Sequence, residues 1–157
     1  MAYHEDLLKQ ALELVHQTPL VQANLRRAVS SAYYALFHLL ISETVSHWAD
    51  AGSRAVLTRA FDHTVMRAAS NRILDKRNFP FVGEDPVEVS TLRLVAQTFV
   101  QLQQAGHYAD YDLAEDLEPT QAKSHVRSAE MAFAALAAIK PAPITQHYLA
   151  SLLVRVR

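Results

Sequence analysis

The segment LRRAVSSAYYALFHLL, residues 25–40, determines the fold class of this 157-residue chain. Its apolar residues recur at the spacing of one face of an α-helix, and this stripe comprises Leu25, Val29, Ala32, Leu36 and Leu39. Asn24 precedes the stripe as a suitable N-cap, and Gly52 lies beyond it as a helix-ending residue. The pattern predicts a long helix from Leu25 to about Trp48 that buries one side in a core.

Five further helices are predicted on the two sides of this segment. Apolar periodicity, together with the positions of proline and glycine, places them at about residues 3–17, 53–69, 86–105, 120–140 and 144–155. Thr120 is expected to cap the fifth helix, and Gly106 to end the fourth. We therefore predict an all-α fold, a single domain over residues 1–157. It would be an up-and-down bundle of five to six helices, with residues 143–157 packing on the bundle or across a dimer.

The composition excludes several classes of protein. The chain has only 3 glycines, whereas average usage would give about eleven, and this scarcity disfavours β-rich and doubly wound folds. The absence of cysteine excludes disulfides, thiolate metal sites and cysteine nucleophiles. Although there are 8 histidines, they form no metal-binding motif, so we predict neither a metal nor a cofactor. No apolar run approaches the roughly 18 residues of a spanning helix, which predicts a cytoplasmic protein without a membrane partner.

The net charge of −1 conceals an uneven distribution. Residues 1–81 carry 9 basic and 7 acidic side chains, residues 82–119 carry 1 and 8, and residues 120–157 carry 5 and 1. The basic side chains on the predicted third helix and its exit are open to two interpretations: a patch for RNA or an acidic partner, and an ordinary solvated face. The acidic block is also suited to contact the basic face of another subunit.

A polar seam on the second helix is not explained by its apolar stripe. The seam comprises Arg27, Ser31, Tyr34 and His38, whose spacings of 4, 3 and 4 place them on one helix face. Such side chains either satisfy partners on neighbouring helices or form part of a functional site.

The second candidate is HYADYD, residues 107–112. If the backbone stays helical there, His107, Asp110 and Tyr111 share a face, and a carboxylate one turn from an imidazole can fix its tautomer for acid–base chemistry. The alternative is that Asp110 and Asp112 are loop or capping residues at the start of an acidic connection.

These two motifs together resemble the bacterial HEPN-domain proteins. The resemblance rests on LRRAVSSAYYALFHLL in the second helix and, about seventy residues later, HYADYDL at residues 107–113, and it covers nearly the whole chain. It implies a homodimer of helical bundles whose interface cleft cleaves RNA in catalytic members. It also implies a toxin–antitoxin or defence context, with a nucleotidyltransferase-like protein as the expected antitoxin.

In catalytic members of the family, metal-independent cleavage depends on an R-x4–6-H motif, and that motif is not intact here. No arginine stands in the segment that precedes His107, where residues 101–103 are Gln101, Leu102 and Gln103, and Gly106 stands where similar relatives often carry arginine. The resemblance therefore leaves open whether the chain is an enzyme.

Two functional hypotheses follow from these motifs. In the first, the chain is a divergent ribonuclease with His107 as the acid–base group, Asp110 orienting it, and Arg27 and Tyr34 near the phosphate. In the second, it is a non-catalytic module that binds RNA, a nucleotide or a protein partner through the same cleft. The binding residues expected under either hypothesis are Ser31, Tyr34, His38 and Tyr111.

Overall fold

A computed structural model describes residues 2–77, 79 and 81–156 of the chain. The described residues form α-helices and no strand, which confirms the all-α prediction. None of these helices is long and apolar enough to cross a membrane. The helices are α1 (Tyr3–His16), α2 (Gln22–Val45), α3 (Ala51–Thr58), α4 (His63–Leu74), α5 (Pro86–Tyr111), α6 (Pro119–Ile139) and α7 (Pro143–Ser151).

The start of α2 differs from the prediction. The helix begins at Gln22 rather than Leu25, so Asn24 lies in the first turn and does not cap it. The Asn24 amide instead donates to the Gln17 side-chain oxygen at 3.3 Å, before the helix starts. The start of α6 differs in the same way, because Thr120 lies inside a helix that begins at Pro119, a residue type favoured in the first turn.

The helix predicted over residues 53–69 is two helices, α3 and α4. Asp62 has an extended backbone, and its Oδ1 accepts hydrogen bonds from the N–H groups of Val65 at 3.0 Å and Thr64 at 2.8 Å. These donors hold the pKa of the Asp62 carboxyl below its ordinary value. Asp62 therefore starts a new helix by capping it, which is why the prediction of one continuous helix was wrong.

Gly106 does not end a helix, because α5 continues through it to Tyr111. Gly106 is buried, and a Cβ atom built on it would lie 3.3 Å from the Cβ atom of Tyr33. The missing side chain thus allows α5 to approach α2 closely at this point. The prediction that Gly106 marks the end of the helix was wrong for this reason.

The chain divides into two compact units, and α2, α5 and α6 contribute residues to both. The first unit comprises the described residues up to Leu39 together with 101–133, and its buried side chains include Val15, Leu25, Leu36, Leu102 and Val126. The second comprises residues 40–100 and the described residues from Ala134 onward. Its buried side chains include Met66, Leu92, Phe99, Ile144 and Tyr148.

A buried hydrogen bond joins α4 and α7 in the second unit. The Tyr148 side chain is fully buried, and its hydroxyl lies 2.8 Å from Ser70 Oγ. Because Ser70 Oγ donates to the Met66 carbonyl oxygen at 2.8 Å, the Tyr148 hydroxyl is the donor to Ser70. Burial raises the pKa of Tyr148, so its hydroxyl stays protonated as this donor.

This arrangement predicts an asymmetry between two substitutions. We expect Ser70→Ala to lower the free energy of unfolding by about 2 kcal/mol, because it leaves a buried hydroxyl without an acceptor. Tyr148→Phe is expected to cost only about 1 kcal/mol, because Ser70 keeps its bond to the Met66 carbonyl. Urea denaturation of both variants measures the difference, and equal costs would contradict the assigned donor.

Candidate functional site

The polar seam of α2 is divided between exposed and buried positions. Arg27 is exposed and Tyr34 is 37% exposed, whereas Ser31 is buried and His38 lies between these extremes. The Ser31 hydroxyl donates to the Gln10 side-chain oxygen at 2.8 Å, so it links α2 to α1. Ser31 therefore has a structural partner, and the seam presents Arg27 and Tyr34 to solvent.

Aromatic rings surround the C-terminal part of the seam. The His38 ring meets the Tyr3 ring edge to face at a centroid distance of 4.8 Å, and it meets Phe37 at 5.1 Å. Tyr34 packs beside Tyr33, with ring centroids 5.2 Å apart. These contacts hold His38 and Tyr34 in an aromatic cluster of the first unit, and part of the Tyr34 ring remains accessible.

The end of α5 presents the second set of predicted residues. Because the helix continues to Tyr111, His107, Asp110 and Tyr111 share one face, and all three are exposed. The rings of His107 and Tyr111 lie one turn apart, with centroids 4.9 Å apart, and Tyr111 is 74% exposed. The imidazole and the phenol thus form an open aromatic pair.

Asp110 contacts α2 rather than the imidazole. Its Oδ2 accepts a hydrogen bond from Ser30 Oγ at 3.2 Å. Across the described part of the chain, no hydrogen bond or ion pair joins Asp110 to His107. The role expected for Asp110 in orienting His107 therefore has no contact to support it, and the carboxylate instead fixes α5 against α2.

Ser30 was not among the predicted residues, yet it connects the two sets. Arg27 lies three residues before it and Tyr34 four residues after it, which places both on the helix face that meets Asp110. We call this surface the α2–α5 face and define it by Arg27, Ser30, Tyr34, His107, Asp110 and Tyr111. It belongs entirely to the first unit.

Arg26, the neighbour of the predicted Arg27, holds the end of α5. Its Nη1 donates to the carbonyl oxygens of Ala109 at 3.1 Å and Asp112 at 2.7 Å, and its Nη2 donates to that of Glu115 at 2.6 Å. The last carbonyls of a helix have no partner within the helix, so a guanidinium here satisfies them. The Arg26 guanidinium thus has a structural role.

Gln22 extends the same support beyond the helix. Its Nε2 donates to the Leu117 carbonyl at 2.8 Å, and its Oε1 accepts from the Leu117 N–H at 2.8 Å. Gln22, Arg26 and Ser30 recur every four residues and all contact residues 109–117. This four-residue repeat of polar side chains marks one face of α2 in the sequence, but it does not tell which segment of the chain that face meets.

The side chains in the segment that precedes His107 have other contacts. Leu102 is buried, and Gln103 hydrogen-bonds to Tyr33, whose pKa is raised by burial and by the nearby Tyr34. Gly106 faces Tyr33 across the helix contact. The backbone next to His107 is therefore used to pack α5 on α2, and only Gln101 among these positions is exposed.

The α2–α5 face offers side chains for binding, and Arg27 supplies its positive charge. Arg27 has no hydrogen bond or ion pair with any residue that the structure describes. Over the same residues, no group of three or more histidine and acidic side chains is placed to hold a metal ion.

The comparison with known proteins gives no match to a family model, to a curated protein or to a solved structure.

Proposed function

We propose that this chain is a HEPN-like, RNA-binding protein that acts as a homodimer and binds single-stranded RNA on the α2–α5 face. The observation that carries the proposal is the exposed pair of His107 and Tyr111 on the same face as an uncommitted arginine. Unpaired RNA bases stack on exposed aromatic rings, and arginine contacts the phosphates between them. The face offers both kinds of contact within one unit.

The dimer and its biological context rest on the resemblance to the HEPN proteins. A second copy facing the α2–α5 face would turn an open surface into a cleft with two aromatic pairs and two copies of Arg27. The context we propose is a toxin–antitoxin or defence system, with a nucleotidyltransferase-like antitoxin as partner. Light scattering is expected to give a mass of twice 17.6 kDa.

Binding without cleavage is the activity that the contacts favour. Attack by a 2′-hydroxyl needs a base beside the hydroxyl and a cation beside the phosphate oxygens, where negative charge develops. His107 is an available base, but Arg26 is committed to carbonyl oxygens and no arginine stands at the motif spacing. An active ribonuclease would have to use Arg27 as the cation beside the phosphate. Because Arg27 has no hydrogen-bond or ion-pair partner among the described residues, an active ribonuclease is the second candidate.

Fluorescence anisotropy with a labelled single-stranded RNA of about 20 nucleotides tests the binding proposal. We expect Tyr111→Ala to weaken binding about tenfold, because stacking contributes about 1–3 kcal/mol per base. Arg27→Ala is expected to weaken binding and to reduce its salt dependence. Trp48→Ala and Arg155→Ala are matched controls, since both side chains are exposed and lie in the second unit.

Two outcomes would overturn the binding proposal: wild-type protein that binds no RNA, and control variants that lose as much affinity as Tyr111→Ala. Incubation of the same RNA with protein in the presence of a chelator tests the second candidate. We expect the RNA to remain intact. Cleavage that disappears in His107→Ala would instead establish the ribonuclease.

A further inference from the structure

A cavity in the second unit is unrelated to the α2–α5 face. It has a volume of about 370 Å³ and lies against α4 and α7. Most of its wall is apolar and includes Ile73, Phe81, Tyr148 and Val154. The polar side chains of its lining are those of Arg72, His147 and Ser151.

The hydroxyl groups around the cavity are already committed. Ser151 Oγ, which lines it, donates to the Tyr148 carbonyl oxygen at 2.6 Å. The Tyr148 hydroxyl is hydrogen-bonded to Ser70 and is buried. The groups left to bind a polar part of a ligand are therefore the guanidinium of Arg72 and the imidazole of His147.

The charge at the cavity is unbalanced. Arg72 is half-buried, and no described residue forms an ion pair or hydrogen bond with it. None of the described residues that line the cavity is acidic. A half-buried guanidinium beside an apolar wall attracts an anion, and arginine binds carboxylates through two parallel hydrogen bonds.

We propose that this cavity binds a small amphipathic carboxylate, with its apolar part against Phe81 and Val154 and its carboxylate on Arg72 and His147. The volume lies near the lower end of the range for small-molecule pockets, which fits a single chain or ring system of about ten carbon atoms. The site is built on α4 and α7, so it is independent of RNA binding in the first unit.

Calorimetric titration with octanoate and with octan-1-ol, its neutral counterpart, tests this site. We expect octanoate to bind more tightly than octanol, because only octanoate can pair with Arg72. Arg72→Gln is expected to weaken octanoate binding about tenfold while changing octanol binding less than about twofold. Arg67→Gln is the matched control, because Arg67 lies on the same helix but does not line the cavity.

A second variant tests the cavity itself. Ala150 lines it from an exposed position on α7, so Ala150→Trp is expected to fold and to block both ligands. Two-dimensional NMR should show octanoate-induced shifts concentrated in α4 and α7. The proposal is overturned if octanoate does not bind the wild type, if octanol binds equally well, or if neither Arg72→Gln nor Ala150→Trp weakens octanoate binding.

Discussion

Gly106→Arg is expected to lower the free energy of unfolding by at least about 3 kcal/mol, and not to supply a usable cation beside His107. Any side chain at this position starts 3.3 Å from the Cβ atom of Tyr33, which is tied to the backbone of α2. Arginine would therefore force α5 away from α2 or place a charge in the buried contact. Either result costs more than an ordinary surface substitution.

A series of substitutions separates crowding from helix propensity. Gly106→Ala is expected to be nearly neutral, because alanine favours the helix by about 1 kcal/mol while its Cβ atom crowds Tyr33. Gln104→Arg is the matched control on the exposed side of α5, and it should change stability by less than about 0.5 kcal/mol. Urea denaturation measures all three. Equal stability of Gly106→Arg and Gln104→Arg would show that position 106 does not face Tyr33.

Helical periodicity was sufficient to predict the all-α class and most of the helices, because burial of one face leaves a regular apolar pattern. It was insufficient where one residue type has two uses. A glycine can end a helix or allow a close helix contact, and Gly106 has the second use because of where Tyr33 lies. An aspartate can sit on a helix face or cap a helix, and Asp62 caps α4.

The same ambiguity limited the prediction of the site. The spacing of His107, Asp110 and Tyr111 correctly places them on one face once α5 is known to continue. The arginine of α2 that holds the end of α5 could not be chosen from the sequence, because Arg26 and Arg27 are adjacent and point about 100° apart on a helix. Which of them meets residues 109–115 depends on the path of the chain after α5, which local patterns do not encode.

Arg26→Ala is expected to destabilise the chain by about 2 kcal/mol, because three carbonyl oxygens at and beyond the end of α5 lose a charged donor. Arg26→Lys should recover less than half of this loss, since a single ammonium cannot reach all three acceptors in the guanidinium geometry. Arg27→Ala is the control, with a change below about 0.5 kcal/mol, because Arg27 is exposed and loses no hydrogen bond or ion pair with a described residue.

Substitutions of the two adjacent arginines should also differ in their effects on hydrogen exchange and on RNA binding. In hydrogen exchange, Arg26→Ala should increase exchange at the end of α5 and at Leu117, where Arg26 and Gln22 hold the chain. Arg27→Ala should leave that exchange unchanged and weaken RNA binding. If Arg27→Ala destabilises as much as Arg26→Ala, the assignment of the structural guanidinium is wrong. If Arg27→Ala changes neither stability nor RNA binding, the α2–α5 face loses the cation on which the proposed function depends.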